Sequence, residues 1–120
     1  MAEYLLYFNQ RWVGDHSKEW FRGRGPRAMA VTEEMKQAGV YVLAGGLEEN
    51  TPVHHADSTC GTTAIVDGPY AESKEFLSGF AIVDVPDDET AKQWAAKIAE
   101  ACGWPHEVRR FGSQRPATAG

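Results

Sequence analysis

Residues 66–75 read VDGPYAESKE, and they concentrate groups that can do chemistry. Asp67-Gly68 suits a tight turn, Pro69 stiffens it, and Tyr70 is then held at a defined angle. Glu72 and Glu75 offer a general acid or base, Lys74 a charge partner, and Tyr70 a hydrogen-bond donor. Set along the wall of a pocket at a sheet edge, these groups suit proton transfer on a small molecule. Such a site needs one group whose pKa is displaced by burial or by a neighbour. The competing reading is a hinge between strands, with Tyr70 as a packing anchor and the charges solvated. The sequence leaves both open.

A second cluster is HHAD, with His54, His55 and Asp57. Adjacent strand residues point to opposite faces and no third strong ligand follows nearby, so no metal site is expected. Near the DGPY turn, His54 suits a proton carrier and His55 a pocket-lining contact; plain loop histidines are the alternative. His16, in GDHSKEWF, reaches toward the end of the sheet from the first strand-to-helix connection, and Trp20 or Trp12 would roof a pocket there, with core or interface packing an equally good reading of both. The candidate catalytic set is thus Glu72, Lys74, Glu75 and His54, and the candidate substrate-binding set Asp67, Tyr70, His55, His16 and Trp20. His106, beside Trp104-Pro105, reads as structural and Trp94 as core. Gly45-Gly46 lacks the lysine and helix start of a phosphate cradle and instead suits a bulge or a close backbone approach.

These residues sit in a chain of 120, long enough for one core, with 42% hydrophobic and 24% charged residues, ordinary for a soluble globular protein. A net charge of -5, with Arg22, Arg24 and Arg27 as the one basic cluster, disfavours nucleic acid as a partner. The start, MAEYLLYFNQ, lacks the basic and small-residue marks of a signal peptide and is too short for a membrane span. Cys60 and Cys102 match no metal or redox spacing, so free thiols and a cytoplasmic location are expected.

The elements that must position the clusters follow from periodicity. EYLLYF at 3–8 reads as a strand, VYVLAGG at 40–46 as another, TTAIV at 62–66 as a weaker one, GFAIVDV at 79–85 as a strong one and HEVRRF at 106–111 as the last. Gly23, Gly25 and Pro26 are expected to interrupt any long helix, leaving Asp15 or Ser17 to cap a short turn and the first helix to run from Pro26. Ala28, Val31, Met35 and Ala38 give it helical spacing, and Gly39 ends it. Asp87 caps the second helix, Ala91, Trp94, Ala95, Ile98 and Cys102 form its apolar stripe, and Gly103 stops it. The resulting α+β order is the ferredoxin-like βαββαβ pattern with a short strand or loop insert before the third main strand. The domain spans residues 1–112, and 113–120 have the composition of a flexible tail.

Two helices cover only one face of a four-stranded sheet, and an open second face requires alternating polar residues. Instead, Phe80 and Ile82 oppose Ala81, Val83 and Val85; Tyr4, Leu6 and Phe8 oppose Leu5 and Tyr7; Val40 and Val42 oppose Tyr41 and Leu43. Both faces are apolar, beyond the largest patch, about 300–600 Å², that soluble monomers expose. A symmetric homodimer with sheets face to face is expected.

The stretch VDGPYAESKEFLSGFAIVDVPDDETAKQWAAKIA resembles the DGPF-domain proteins of the YCII-related family: an Asp-Gly-Pro-aromatic step, Glu72, the Lys74-Glu75 pair and Gly79 opening a strand. Tyr70 stands where the family usually has phenylalanine. MKQAGVYVLAGG before it and HEVRRF after it also fit, so the resemblance covers residues 3–111. It implies a dimeric α+β barrel, an architecture shared by cofactor-free monooxygenases, lactone isomerases, dehalogenase-like enzymes and haem proteins, so fold alone selects no chemistry. Some members pair a first-helix histidine with an aspartate, but the helix expected over 26–38 contains no histidine. The expected function is a small-molecule-binding homodimer without a cofactor, performing proton transfer such as isomerisation, dehydration or assisted oxygenation. The alternative is a non-catalytic accessory or ligand-sensing module, and a third is haem or metal binding through His54 or His55.

Overall fold

A computed structural model describes residues 1–48, 51–69 and 77–112. Strand β1 (Ala2–Asn9) leads through a 3-10 turn (Gln10–Trp12) into helix α1 (Lys18–Gln37) and strand β2 (Tyr41–Gly46). Strands β3 (His54–Asp57) and β4 (Ala64–Asp67) follow, then β5 (Leu77–Val85), α2 (Asp88–Cys102) and β6 (Glu107–Arg110). The main sheet has the order β2-β5-β1-β6 with antiparallel neighbours, as the ferredoxin-like α+β pattern requires. The insert forms its own two-stranded antiparallel ribbon, β3 with β4.

Both helices lie on one face. Tyr4 and Leu6 of β1 and Ala81, Val83 and Val85 of β5 pack against Val31 and Met35 of α1 and Ala91, Ala95 and Ile98 of α2. Asp87 caps α2 by accepting from Thr90 N at 2.8 Å, and Gly103 ends it at φ 95°, a left-handed conformation that favours glycine. The α2 caps and stripe hold, except that Trp94, expected as core, is only half-buried at its edge beneath Lys97. The face assignments of β1 and β5 hold too, where Leu5 pairs Ile82 and Tyr7 pairs Phe80 on the side away from the helices.

Two expectations are corrected. Helix α1 is not interrupted at Gly23, Gly25 or Pro26: it runs unbroken from Lys18, capped by Ser17, whose Oγ accepts from Trp20 N at 3.1 Å. Each interior glycine costs about 1 kcal/mol and a proline about 3 kcal/mol, but these three are exposed, while the intervening turns pack Trp20, Arg24 and Ala28 inward. Packing overrides propensity. In β2, a bulge between Tyr41 and Leu43 breaks strict alternation: Tyr41 pairs Val83 and packs on the core, whereas Leu43 pairs Ile82. Tyr41 and Leu43 therefore lie on opposite faces, not on one.

The face away from the helices carries Leu5, Tyr7, Leu43, Phe80 and Ile82. The ribbon exposes Ile65 (80%), Val53 (45%) and Val66 (42%). Among the described residues, no helix is long and apolar enough to cross a membrane.

Candidate functional site

Between the helices and one end of the sheet lies a cavity of about 370 Å³, within the size range of about 300–1,000 Å³ typical of small-molecule sites. Its floor is Leu6 and Phe8 of β1, Ala44 of β2 and Ala81 of β5. Strand alternation puts Leu6 and Phe8 on one face, and Gly79, paired with Phe8, lets that ring lie across β5. A Cβ at Gly79 would stand 2.5 Å from the ring. The roof comes from α1, where Phe21, Arg24, Ala28 and Thr32 recur at helical spacing. Ile98 and Cys102 of α2 close one side, and Trp104 and His106, leading into β6, close the end.

The walls are mostly apolar, with aromatic rings at one end. The Phe8 ring lies 5.1 Å from Trp104 and 5.0 Å from His106, and Trp104 meets Phe21 at 6.3 Å and Trp20 at 6.0 Å. Behind this wall His16 stacks on Trp20, with centroids 3.5 Å apart, and donates to or accepts at no cavity atom; its Nε2 lies 3.1 Å from Val13 O.

Few polar groups enter. Arg24 is half-buried and lies over the Trp20 ring at 4.3 Å. Among the described residues it has neither an ion-pair nor a hydrogen-bond partner. Burial lowers the pKa of His106 from its ordinary 6.5, opposed by its bond to Trp104. That bond joins Nδ1 to Trp104 O at 3.1 Å. A carbonyl only accepts, so Nδ1 carries the proton and the neutral ring keeps a lone pair on Nε2. Burial pushes the Cys102 thiol up to about 11, so it is a protonated wall rather than a nucleophile at neutral pH. Thr32 spends its hydroxyl on Ala28 O at 3.1 Å. Trp104 Nε1 is closed to solvent without a partner among the described residues.

None of the expected site residues that the structure describes lines the cavity. Tyr70, Glu72, Lys74 and Glu75 lie outside the described residues. The structure does bring the histidine cluster to the DG turn: His54 pairs with Asp67 in register, and His54 Nδ1 stands 2.8 Å from Asp67 Oδ1. His55 Nδ1 donates to Gly68 O at 2.7 Å, and Gly68 N donates to Val53 O at 2.6 Å. This pair is open to water, with the Asp67 side chain 96% exposed. His54, His55, Asp67, His16 and Trp20 do not line the cavity, although Trp20 supports Arg24 and Trp104, which do. Among the described residues no group of three or more His, Cys, Asp or Glu is placed to hold a metal.

Sequence reasoning placed neither Arg24 nor His106 at the cavity. For Arg24 a signal existed: Trp20, Arg24 and Ala28 are spaced by four, so the arginine continues the apolar stripe of α1 toward its start. Nothing local marks His106, because its burial comes from Phe8, far away in the chain.

A ferredoxin-like α+β chain with a cavity between helices and sheet is thus the class that fold and site define. The YCII-related domain matches residues 17–103, and the chain belongs to that family. It is also similar to an uncharacterised protein of Rhizobium meliloti (strain 1021), 27% identical over 118 residues that cover 93% of each chain.

Proposed function

We propose that the protein is a homodimer that binds one small organic molecule per subunit in the helix-side cavity, with His106 as proton acceptor in a reaction needing no cofactor. The cavity carries this reading: about 370 Å³ with largely apolar walls, entered by very few polar groups. Apolar walls supply affinity and a few placed polar atoms orient the ligand. The Nε2 lone pair on a ring held neutral by burial suits a general base near neutral pH. Dimerisation is supported by Leu5, Tyr7, Leu43 and Phe80 on the sheet face opposite the helices and by the exposed apolar ribbon.

Titration with a small aromatic such as indole, followed by tryptophan fluorescence, tests the site because Trp104 is part of its wall. Ala28→Phe should fill the cavity and abolish the fluorescence change while circular dichroism stays that of the parent. Binding that survives in this folded variant removes the cavity from the mechanism. His106→Gln should retain binding and lose turnover. A single-subunit mass in sedimentation at micromolar concentration would remove the dimer.

A further inference from the structure

The geometry points to a carboxylate on the ligand, clamped by Arg24 at the rim of the cavity, so that the substrate class is a small aromatic or similarly apolar organic acid. This rests on the cavity reading above. Three observations carry it. First, Arg24 is half-buried in the cavity lining, yet none of its five donors meets an acceptor among the described residues. A guanidinium that the chain leaves without an anionic or hydrogen-bond partner can form charge-assisted bonds to an anion arriving with the ligand.

Second, Arg24 is held in place rather than left to wander. It lies 4.3 Å over Trp20, Trp20 stacks on His16, and the far edge of the indole fits against Gly103 only because that position has no Cβ. A Cβ at Gly103 would stand 2.7 Å from the Trp20 ring and 3.4 Å from Arg24 Cζ. Trp20 and His16 are therefore positioning residues for the guanidinium. A rigid planar fork matches the two oxygens of a carboxylate.

Third, the cavity offers one cation and little else. Thr32 has spent its hydroxyl proton on the backbone, and besides the neutral indole N–H of Trp104 the other wall groups offer no charged donor. One guanidinium neutralises one charge, which favours a carboxylate over a phosphate ester carrying nearly two.

Arg24 also lies beside Gly103, at the C-terminal end of α2, where a cation stabilises the helix dipole. A purely structural role of that kind predicts a change in stability with no change in ligand preference, and the experiment separates the two. The probes are phenylacetate, phenylacetamide and phenyl phosphate, titrated into the intact parent protein by calorimetry. Phenylacetate should bind at least tenfold tighter than the amide, and phenyl phosphate no tighter than phenylacetate. In Arg24→Gln the acid should weaken to the level of the amide, whose own affinity stays within about twofold of the parent, since one 1.4 kcal/mol interaction is worth tenfold. Arg24→Lys, which keeps the charge and loses the fork, should recover part of the preference.

Equal binding of acid and amide by the parent overturns the carboxylate and leaves the cavity site intact. Tighter phenyl phosphate also overturns it. Silence with all three probes up to millimolar concentration removes both the cavity reading and this inference. Should Arg24→Gln fail to fold, the acid-to-amide ratio in the parent decides alone.

Discussion

The cavity and the β3–β4 ribbon both present histidines, and they use them in opposite ways. On the ribbon, His54 bonds Asp67, His55 bonds Gly68, and the apolar side chains around them face outward. Among the described residues, His54, His55, Asp57 and Asp67 there each bond a close neighbour. In the cavity, His106 spends one nitrogen on the backbone and Arg24 spends none of its donors, inside walls of carbon. Clustering in sequence brings side chains close enough to satisfy each other. A charge held in place beside an apolar cavity without a protein anion to pair with is the better sign of a ligand, because an arriving anion can form charge-assisted bonds with it.

The largest test of this contrast is at two glycines with the same backbone sign. Gly103 (φ 95°) would set a Cβ against Trp20, while Gly61 (φ 86°), at the ribbon's turn, has nothing within 4 Å. Gly103→Ala adds a clash with the indole to left-handed strain of roughly 1–3 kcal/mol. It should lower the melting temperature by about 10 °C and disturb the cavity. Gly61→Ala carries the strain alone and should lower it by less than half as much. Equal shifts in the two melts would mean that Trp20 packing against α2 contributes nothing.

The next effect is in pH. Because burial depresses the folded pKa of His106 below 6.5, the unfolded chain binds more protons in the window beneath that value. The contribution of the neutral ring is thus present in full above pH 6.5 and is lost as pH falls through the lowered folded value. Urea melts from pH 7.5 to 5 should show parent stability falling toward the acid end, and His106→Gln should flatten that slope. An unchanged slope in the variant would assign it to other groups.

The smallest effect belongs to the ribbon. Asp67→Asn removes the carboxylate from His54, but exposed pairs contribute little. Its melt should fall within about 2 °C of the parent, and cavity binding should be unaffected. A large shift would mean that the ribbon is covered in the assembled protein, which would itself support a dimer that buries Ile65 and Val66.

Much of the fold was legible before any coordinates. Alternation in GFAIVDV and EYLLYF assigned the two central strands and their faces, and Asp87 and Gly103 marked both ends of α2, because those signals act over a few bonds. The start of α1 was misread for the opposite reason. Gly23, Gly25 and Pro26 are local breakers, and what overrides them is the burial of Trp20 and Arg24 against Trp104 and Gly103, some eighty residues away. The β2 bulge escaped notice because a one-residue slip leaves no compositional mark.

The sequence by itself therefore determined the strands of the main sheet, helix α2, the two-faced apolar character of the central strands, and the family. Only the tertiary structure decided which titratable groups face the cavity. His106 and Arg24 owe their setting to Phe8 and Trp20, which reach them through chain reversals. Desolvation depends on every atom within reach, and no single stretch of chain contains them all.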